Sequence, residues 1–106
     1  MISLPTGAVL VKLRGELDMA VEATMRDHFT HVVRQSPHLL VDMGQVEFID
    51  CAGLNALLWG RERALAQGGS FGLVAPSPAV RRLLQLARVE DAFPVHADLG
   101  RAVARS

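Results

Sequence analysis

The sequence predicts an α/β fold in a single domain, with a mainly parallel central sheet of four to five strands and about four helices. Three observations favour it: the length, the alternation of strand-like and helix-like segments, and a short apolar run near the middle. The chain has 106 residues without a low-complexity linker, which fits one domain over residues 1–106. Strands that alternate with helices need crossover connections, and these favour parallel strands.

The first third of the chain predicts a strand followed by a helix. Residues 8–17 are apolar at first and then alternate with charged residues, as in a strand buried on one face and partly covered on the other. The turn-forming residues 4–7 allow a short N-terminal strand to fold back as a hairpin. Residues 19–35 have a helical period, and Ser36-Pro37 ends this helix because proline disfavours helical geometry in the preceding residue. Its predicted core stripe comprises Val21, Met25, Phe29, Val32 and Val33.

The middle of the chain predicts a buried strand and a second helix. Residues 39–41 form a wholly apolar run, which is typical of a central parallel strand. The second helix is predicted over residues 51–67, and Gly68-Gly69 ends it. Its core stripe should comprise Leu54, Leu57, Leu58 and Leu65. In the loop before this helix, the residues expected to tuck under the sheet are Val46, Phe48 and Ile49.

The last third predicts two further strands and two helices. Residues 71–75 form a strand, and Ser77 then serves as the N-cap of a third helix that has Pro78 in its first turn. Residues 93–96 fit a short edge strand, where proline is tolerated. Asp98 is expected to cap a last helix that continues through residue 104. The third helix then continues through Val80, Leu83, Leu84 and Ala87.

The charge balance and the cysteine count exclude several classes of protein. Eleven basic and eleven acidic side chains give a net charge of zero, which argues against a protein that wraps nucleic acid or binds an anionic membrane directly. Cys51 is the only cysteine, so an intrachain disulfide and a multi-cysteine zinc site are excluded. The sequence contains neither an apolar run long enough for a transmembrane helix nor signal-peptide features. We therefore expect a cytoplasmic domain.

The most distinctive segment lies at the predicted start of the second helix. Asp50 is placed to accept hydrogen bonds from free backbone N–H groups and to complement the positive end of the helix, a contribution of about 1 kcal/mol. The small residues Ala52 and Gly53 leave that end open to an approaching surface. From the residues alone, a capped helix with no further role and a docking surface both fit.

Four stretches in the same order resemble the STAS domain family, and within it the bacterial anti-sigma factor antagonists. Gly15-Glu16-Leu17-Asp18 is similar to a turn of that family. Residues 40–42 together with Asp50-Cys51-Ala52-Gly53-Leu54 are similar to its strand, loop and helix start. Gly68-Gly69 precedes a strand as in the family, and residues 77–84 resemble the start of its next helix. The resemblance covers residues 9–104, nearly the whole chain.

The resemblance implies a regulatory binding protein, with no enzymatic activity and no cofactor. Its partner would be an anti-sigma factor of the histidine-kinase-like ATPase type, and docking would release a sigma factor. The residues that this resemblance places at the partner are Gly15, Glu16, Leu17, Asp18, Asp50, Cys51, Ala52, Gly53, Leu54 and Asn55. In the family the kinase phosphorylates a serine or threonine at the position of Ala52, and this blocks docking. Alanine has no hydroxyl, so we expect either an antagonist that escapes the switch or a partner that needs none.

Two other functions fit the same resemblance or the same end of the fold. One is a STAS subunit of a membrane transport system that binds a transporter ATPase. The other is a sensor of a small ligand or nucleotide. The sequence has no Walker-type or dinucleotide-binding glycine loop, and no nucleophile, base and acid at a recognisable spacing, so we expect no enzyme.

Several side chains have more than one interpretation. Asp18, Asp42 and Asp50 are expected to form an acidic patch at one end of the sheet, although Asp18 also fits a cap of the first helix, and Asp42 a residue that bonds loop amides. Trp59 lies slightly off the leucine stripe, which would leave it partly exposed as an interface anchor, although core packing is the favoured interpretation. For the weaker candidates a purely structural interpretation is favoured. His28 and His31 fit solvated helix residues better than metal ligands, and Cys51 fits an inert thiol. The arginines fit solvated helix faces or contacts to an acidic partner; they are Arg61, Arg63, Arg81, Arg82 and Arg88.

Overall fold

The computed structural model describes residues 2–105, which form one five-stranded sheet with four α-helices. The strands follow the sheet in chain order: β1 (Ile2–Ser3), β2 (Val9–Leu17), β3 (His38–Ile49), β4 (Ser70–Val74) and β5 (Val95–His96). The helices are α1 (Glu22–Gln35), α2 (Cys51–Ala66), α3 (Pro78–Leu86) and α4 (Leu99–Arg105). All neighbouring strands are parallel except β1, which is antiparallel to β2. The predicted mainly parallel α/β fold and the N-terminal hairpin are confirmed.

The main core lies between the sheet and the helices. Met25, Phe29, Val32 and Val33 of α1 are all buried, as predicted, whereas Val21 precedes the helix and is only half-buried. The Phe29 ring meets Phe71 of β4 edge-on, with 5.5 Å between ring centroids. Gly60 lets this ring approach α2, because a Cβ atom there would lie 2.9 Å from it. Close packing of α1 on α2 therefore depends on a residue without a side chain.

One core assignment on α2 is wrong, and α3 ends one residue earlier than predicted. Leu54 and Leu57 are buried and Leu58 is half-buried, but Leu65 is 46% exposed because it lies on the solvent side of α2. On α3, Val80 and Leu84 are buried and Leu83 is partly buried, while Ala87 is the exposed C-cap that follows the helix. The predicted stripe of α2 is thus correct at Leu54 and Leu57 and fails at Leu65, in the last turn of the helix.

The third strand is much longer than the predicted residues 39–41, because it continues to Ile49. Two register shifts against β2 place extra residues in β3, one between Lys12 and Arg14 and one between Gly15 and Glu16. Such bulges break the two-residue alternation that marks a strand in a sequence. They also turn Phe48 outward to 49% exposure, while Val46 and Ile49 are buried, so the expectation that Phe48 lies under the sheet is wrong.

Three of the predicted helix boundaries have the expected caps. Ser77 accepts a hydrogen bond at its hydroxyl oxygen from the Val80 N–H at 3.4 Å, and Asp98 accepts one from the Arg101 N–H at 2.8 Å. At the end of α2, Gly68 has a φ of +76° and the Gly69 N–H donates to the Ala64 carbonyl at 2.9 Å. This pattern satisfies the last carbonyls of the helix and needs a glycine at the left-handed position.

The two longest strands extend past the rest of the sheet. β3 pairs with β4 only as far as Asp42, but it pairs with β2 as far as Ile49. The carboxyl ends of β2 and β3 therefore project together beyond β4. They carry the turn that precedes α1 and the first residue of α2, which is the arrangement that builds the candidate site.

Candidate functional site

The carbonyl oxygen of Leu17 joins the end of β2 to the start of α2. The Asp50 N–H donates to this oxygen at 3.2 Å. Gly53, in the first turn of α2, lies directly against the same carbonyl, and a Cβ atom at this position would overlap it and lie 3.0 Å from Ile49 Cγ1. Glycine is required here because a side chain would not fit, and not because of an unusual backbone conformation. The two predicted segments, residues 15–18 and 50–55, are thus brought together at one end of the molecule.

Asp50 caps α2, as predicted. Its Oδ1 atom accepts a hydrogen bond from the Gly53 N–H at 3.0 Å, and its carbonyl accepts one from the Leu54 N–H at 3.0 Å. The residue is half-buried. Because no acidic residue lies in the first turn of α2, this carboxylate is the negative charge that complements the positive end of the helix.

Asp18 does not cap α1. Its Oδ1 atom accepts from the Ala20 N–H at 3.0 Å, and its carbonyl accepts from the Val21 N–H at 3.1 Å. These bonds close a turn over residues 18–21, so α1 begins at Glu22 rather than at residue 19, and its N-cap Val21 contributes no side-chain bond. The polar residue that the sequence offers as a cap is used to shape the turn instead.

The ten predicted partner-binding residues fall into three groups by solvent exposure. Leu17, Gly53 and Leu54 are buried, so they support the site from beneath. Gly15, Asp18, Asp50 and Ala52 are half-buried, and Glu16, Cys51 and Asn55 are exposed. Leu54, at 4% exposure, belongs to the hydrophobic core, so placing it at a partner is not supported by the structure.

Two exposed apolar side chains complete the site and were not predicted. Met19, in the turn after β2, is 77% exposed, and Phe48, which pairs in register with Glu16, is 49% exposed. Exposed large apolar side chains are typical of interaction surfaces when they cluster, so these two are candidate contact residues beside the predicted segments. We call the set of accessible residues the α2-start surface; it comprises Glu16, Asp18, Met19, Phe48, Cys51 and Asn55.

A groove adjoins this surface between the end of β3 and α3. It has a volume of about 440 Å³ and is lined by Phe48, Ile49, Arg82, Leu83 and Leu86, among others. Leu86 is 71% exposed. The groove thus extends the apolar part of the α2-start surface and adds one positive charge at its border. The sequence signal that could have found it is the apolar Leu86 at the solvent side of α3.

Asp42 does not join Asp18 and Asp50 in an acidic patch. It lies beside Lys12 in the sheet, whereas Leu17, five residues further along β2, lies beside Ile49. Five residues of extended strand span about 16 Å. The Asp42 carboxylate accepts from the Gly44 N–H at 2.9 Å, which is the local role that the sequence also allowed.

The weaker candidates have separate places in the fold. His28 and His31 are exposed on α1, and a ring nitrogen of His31 lies 2.9 Å from the side-chain nitrogen of Gln35. Although His28 is exposed as a whole, its ring is partly desolvated, and this is the main cause that lowers its pKa below the ordinary value of 6.5. Among residues 2–105 no three histidine, cysteine or acidic residues lie together as metal ligands. Within the same span no helix has the length and apolar character needed to cross a bilayer.

Trp59 lies on the outer side of α1 and α2, half-buried and outside the hydrophobic core. The guanidinium carbon of Arg63 lies 4.3 Å from the centroid of its ring, and that of Arg26 lies 5.1 Å away. The preferred assignment of Trp59 to the core is therefore wrong. Cys51 is exposed and unpaired.

Comparison with characterised proteins identifies relatives along most of the chain. An anti-sigma F factor antagonist from Paenibacillus polymyxa is 29% identical over 93 residues, which cover 85% of this chain and 79% of that protein. An anti-sigma-F factor antagonist from Mycobacterium tuberculosis is 30% identical over 92 residues, which cover 84% of this chain and 72% of that protein.

Solved structures and a family model agree with these relatives. An anti-sigma factor antagonist from Mycobacterium paratuberculosis has a TM-score of 0.81 at 33% identity, covering 93% of this chain and 85% of that one. A sulfate transporter family protein from Wolinella succinogenes has a TM-score of 0.82 at 19% identity, covering 96% and 86%, and shares the fold. The model of the STAS domain matches residues 2–102. The chain therefore belongs to the STAS domain family.

Proposed function

We propose that this protein is an anti-sigma factor antagonist, which binds an anti-sigma factor through the α2-start surface and thereby frees a sigma factor. The observation that carries the proposal is the junction at Leu17, whose carbonyl holds the turn after β2 against the first turn of α2. This junction presents Met19 and Phe48 as apolar anchors beside the acidic Glu16 and Asp18. Relatives named as antagonists over most of the chain support the same role.

The chemistry of the surface suits reversible protein–protein docking. An exposed patch that combines apolar anchors with charged neighbours is typical of an interface with a polar rim. Among the described side chains, residues 2–103, the carboxylates of Glu16 and Asp18 have no ion-pair partner, so they are available to basic residues of a partner. The protein acts by binding in the cytoplasm, without cofactor or catalysis.

We further propose that the partner is an anti-sigma factor of the histidine-kinase-like ATPase type and that this antagonist escapes its kinase. Ala52 is the second residue of α2, where backbone N–H groups are free and a phosphate would be well accommodated. A phosphoserine there would add nearly two negative charges beside Glu16 and Asp18, which would oppose docking. The alanine methyl group cannot accept a phosphate, so binding should persist whether or not ATP is present.

The experiment that tests this proposal uses a complex of a sigma factor with its anti-sigma kinase. The wild-type chain should release the sigma factor equally with and without ATP, and its mass should not change. Ala52→Ser should release it without ATP, gain one phosphate with ATP, and then lose activity. Phosphate on the wild-type chain, at Thr24 or Ser36 for example, would contradict the escape from the kinase. Failure of the wild-type chain to release any sigma factor would contradict the antagonist role.

A subunit of a membrane transport system is the competing function. The likeness to the sulfate transporter family protein lies at 19% identity and supports only the common fold. The relatives with 29–30% identity are named as antagonists. Genes adjacent to the coding gene separate the two functions: regulators and sigma factors favour the antagonist, and transporter genes would favour the subunit.

A further inference from the structure

A groove between α1 and α2 carries an unusual arrangement around Trp59. The indole ring lies close to two guanidinium groups, those of Arg26 and Arg63, whose carbon atoms are 5.1 and 4.3 Å from the ring centroid. The groove has a volume of about 530 Å³ and begins at Asn55 and ends near Ala66. Eleven residues of helix span about 16 Å, so the groove runs along most of α2 and away from its first turn.

Two hydrogen-bond donors in this groove are left unpaired. The Nε1 atom of Trp59 and the Nε atom of Arg26 are both buried, and neither has an acceptor among residues 2–105. A buried donor without a partner is unfavourable, because it loses its bonds to water and gains none in the protein. A ligand that brings acceptor oxygens would relieve this cost. The Arg26 side chain as a whole is 39% exposed, so its guanidinium is reachable from solvent.

The charge of the groove is predominantly positive. A second hollow, of about 470 Å³, shares Arg63 and Ala66 with the first and adds Arg34 to its border. Arg26 pairs with Glu22 at 2.8 Å, but neither Arg34 nor Arg63 forms an ion pair within residues 2–105. Glu62 is the one acidic residue among the described residues that line the two hollows.

We propose that this groove binds an acidic segment of a partner protein, with carboxylates on Arg34 and Arg63 and an apolar residue against Trp59. Arginine forms paired hydrogen bonds with a carboxylate, and tryptophan and arginine are the residues that dominate binding energy at interfaces. The net charge of the chain is zero and Glu62 lines the groove, and both features disfavour a nucleic acid or another polyphosphate as the ligand.

Trp59 is the only tryptophan, so its fluorescence reports binding directly. The probe is an acetylated and amidated peptide of glutamates on both sides of one phenylalanine, and the control peptide has lysines in place of the glutamates. The acidic peptide should change the fluorescence saturably and bind more weakly as salt is added. Arg63→Glu should weaken binding about tenfold or more, since it replaces an attraction by a repulsion. Lys12→Glu makes the same change of charge on β2, outside the groove, and should leave binding within about twofold.

Four results would overturn the proposal. The first is no saturable change with the acidic peptide, and the second is equal binding of the lysine peptide. The third is tighter binding of a short single-stranded DNA that Arg63→Glu abolishes, which would assign the groove to nucleic acid. The fourth is self-association in sedimentation that the same variant abolishes, which would assign it to a second copy of the chain. Because the readout contains no anti-sigma factor, these results are independent of the antagonist role.

Discussion

Replacing Gly53 by alanine should destabilise the fold although alanine is the better helix former. A Cβ atom at this position would overlap the Leu17 carbonyl oxygen and lie 3.0 Å from Ile49 Cγ1. The neighbouring atom is backbone, so it cannot move aside as a flexible side chain would. Relief requires that the first turn of α2 shift away from β2, which also strains the Asp50 N–H bond to Leu17.

The magnitude follows from three opposing contributions. Alanine gains about 1 kcal/mol over glycine inside a helix. Overpacking costs about 1–3 kcal/mol, and a lost backbone hydrogen bond costs about 1 kcal/mol. We therefore expect Gly53→Ala to lower the free energy of unfolding by about 1–3 kcal/mol. In a domain of this size that corresponds to a decrease in Tm of roughly 5–15 °C.

Gly100→Ala is the matched control for this variant. Gly100 also lies in a helix, α4, but its Cβ atom would meet only Asp98 Oδ1 at 3.4 Å, an ordinary contact. Its Tm should stay equal to that of the wild type or rise slightly. Thermal unfolding followed by circular dichroism measures both. If Gly53→Ala were as stable as Gly100→Ala, the close approach of α2 to β2 would be refuted.

Three further predictions concern the cap, the core and the pH dependence. Asp50→Ala should lower the free energy of unfolding in urea by about 1 kcal/mol, whereas Asp50→Asn should retain most of the stability of the wild type because asparagine also caps helices. Equal losses in the two variants would show that the side-chain cap is unimportant. Leu54→Arg should unfold the domain, because it buries a charge at a site that is 4% exposed, and a native circular dichroism spectrum would contradict this. Partial desolvation favours the neutral form of His28 in the fold, so the unfolded chain binds more protons and the free energy of unfolding should fall as the pH drops below 6.5. His28→Gln should reduce this dependence on pH. An unchanged dependence would refute the lowered pKa of His28.

The sequence predicts the order of elements well because each boundary has a local physical cause. Ser77, Asp98 and Gly68 act at helix ends through bonds to residues within a few positions, and such effects are readable from neighbours along the chain. Asp50 is predicted for the same reason. The start of α1 fails because Asp18 bonds the Ala20 N–H instead of a helical one.

The missed parts of the site depend on contacts between distant segments. The true length of β3 and the outward position of Phe48 follow from its two register shifts against β2, which no local pattern contains. The need for Gly53 depends on the Leu17 carbonyl, 36 residues earlier, and Leu54 is buried among core residues from several distant segments. The exposure of Met19 follows from the turn that Asp18 shapes. Resemblance to a family singled out residues 15–18 and 50–55, and only the structure separated the buried residues among them from the accessible ones.

The antagonist role is tested most directly by calorimetric titration of the cognate anti-sigma factor with Met19→Asp. Met19 is 77% exposed, so the substitution should leave the Tm unchanged while it removes an apolar anchor and adds a negative charge. We expect the wild type and Lys12→Glu to bind with similar affinity and Met19→Asp to bind at least about tenfold more weakly. Equal affinity of all three, with native spectra, would contradict the claim that the α2-start surface is the docking site.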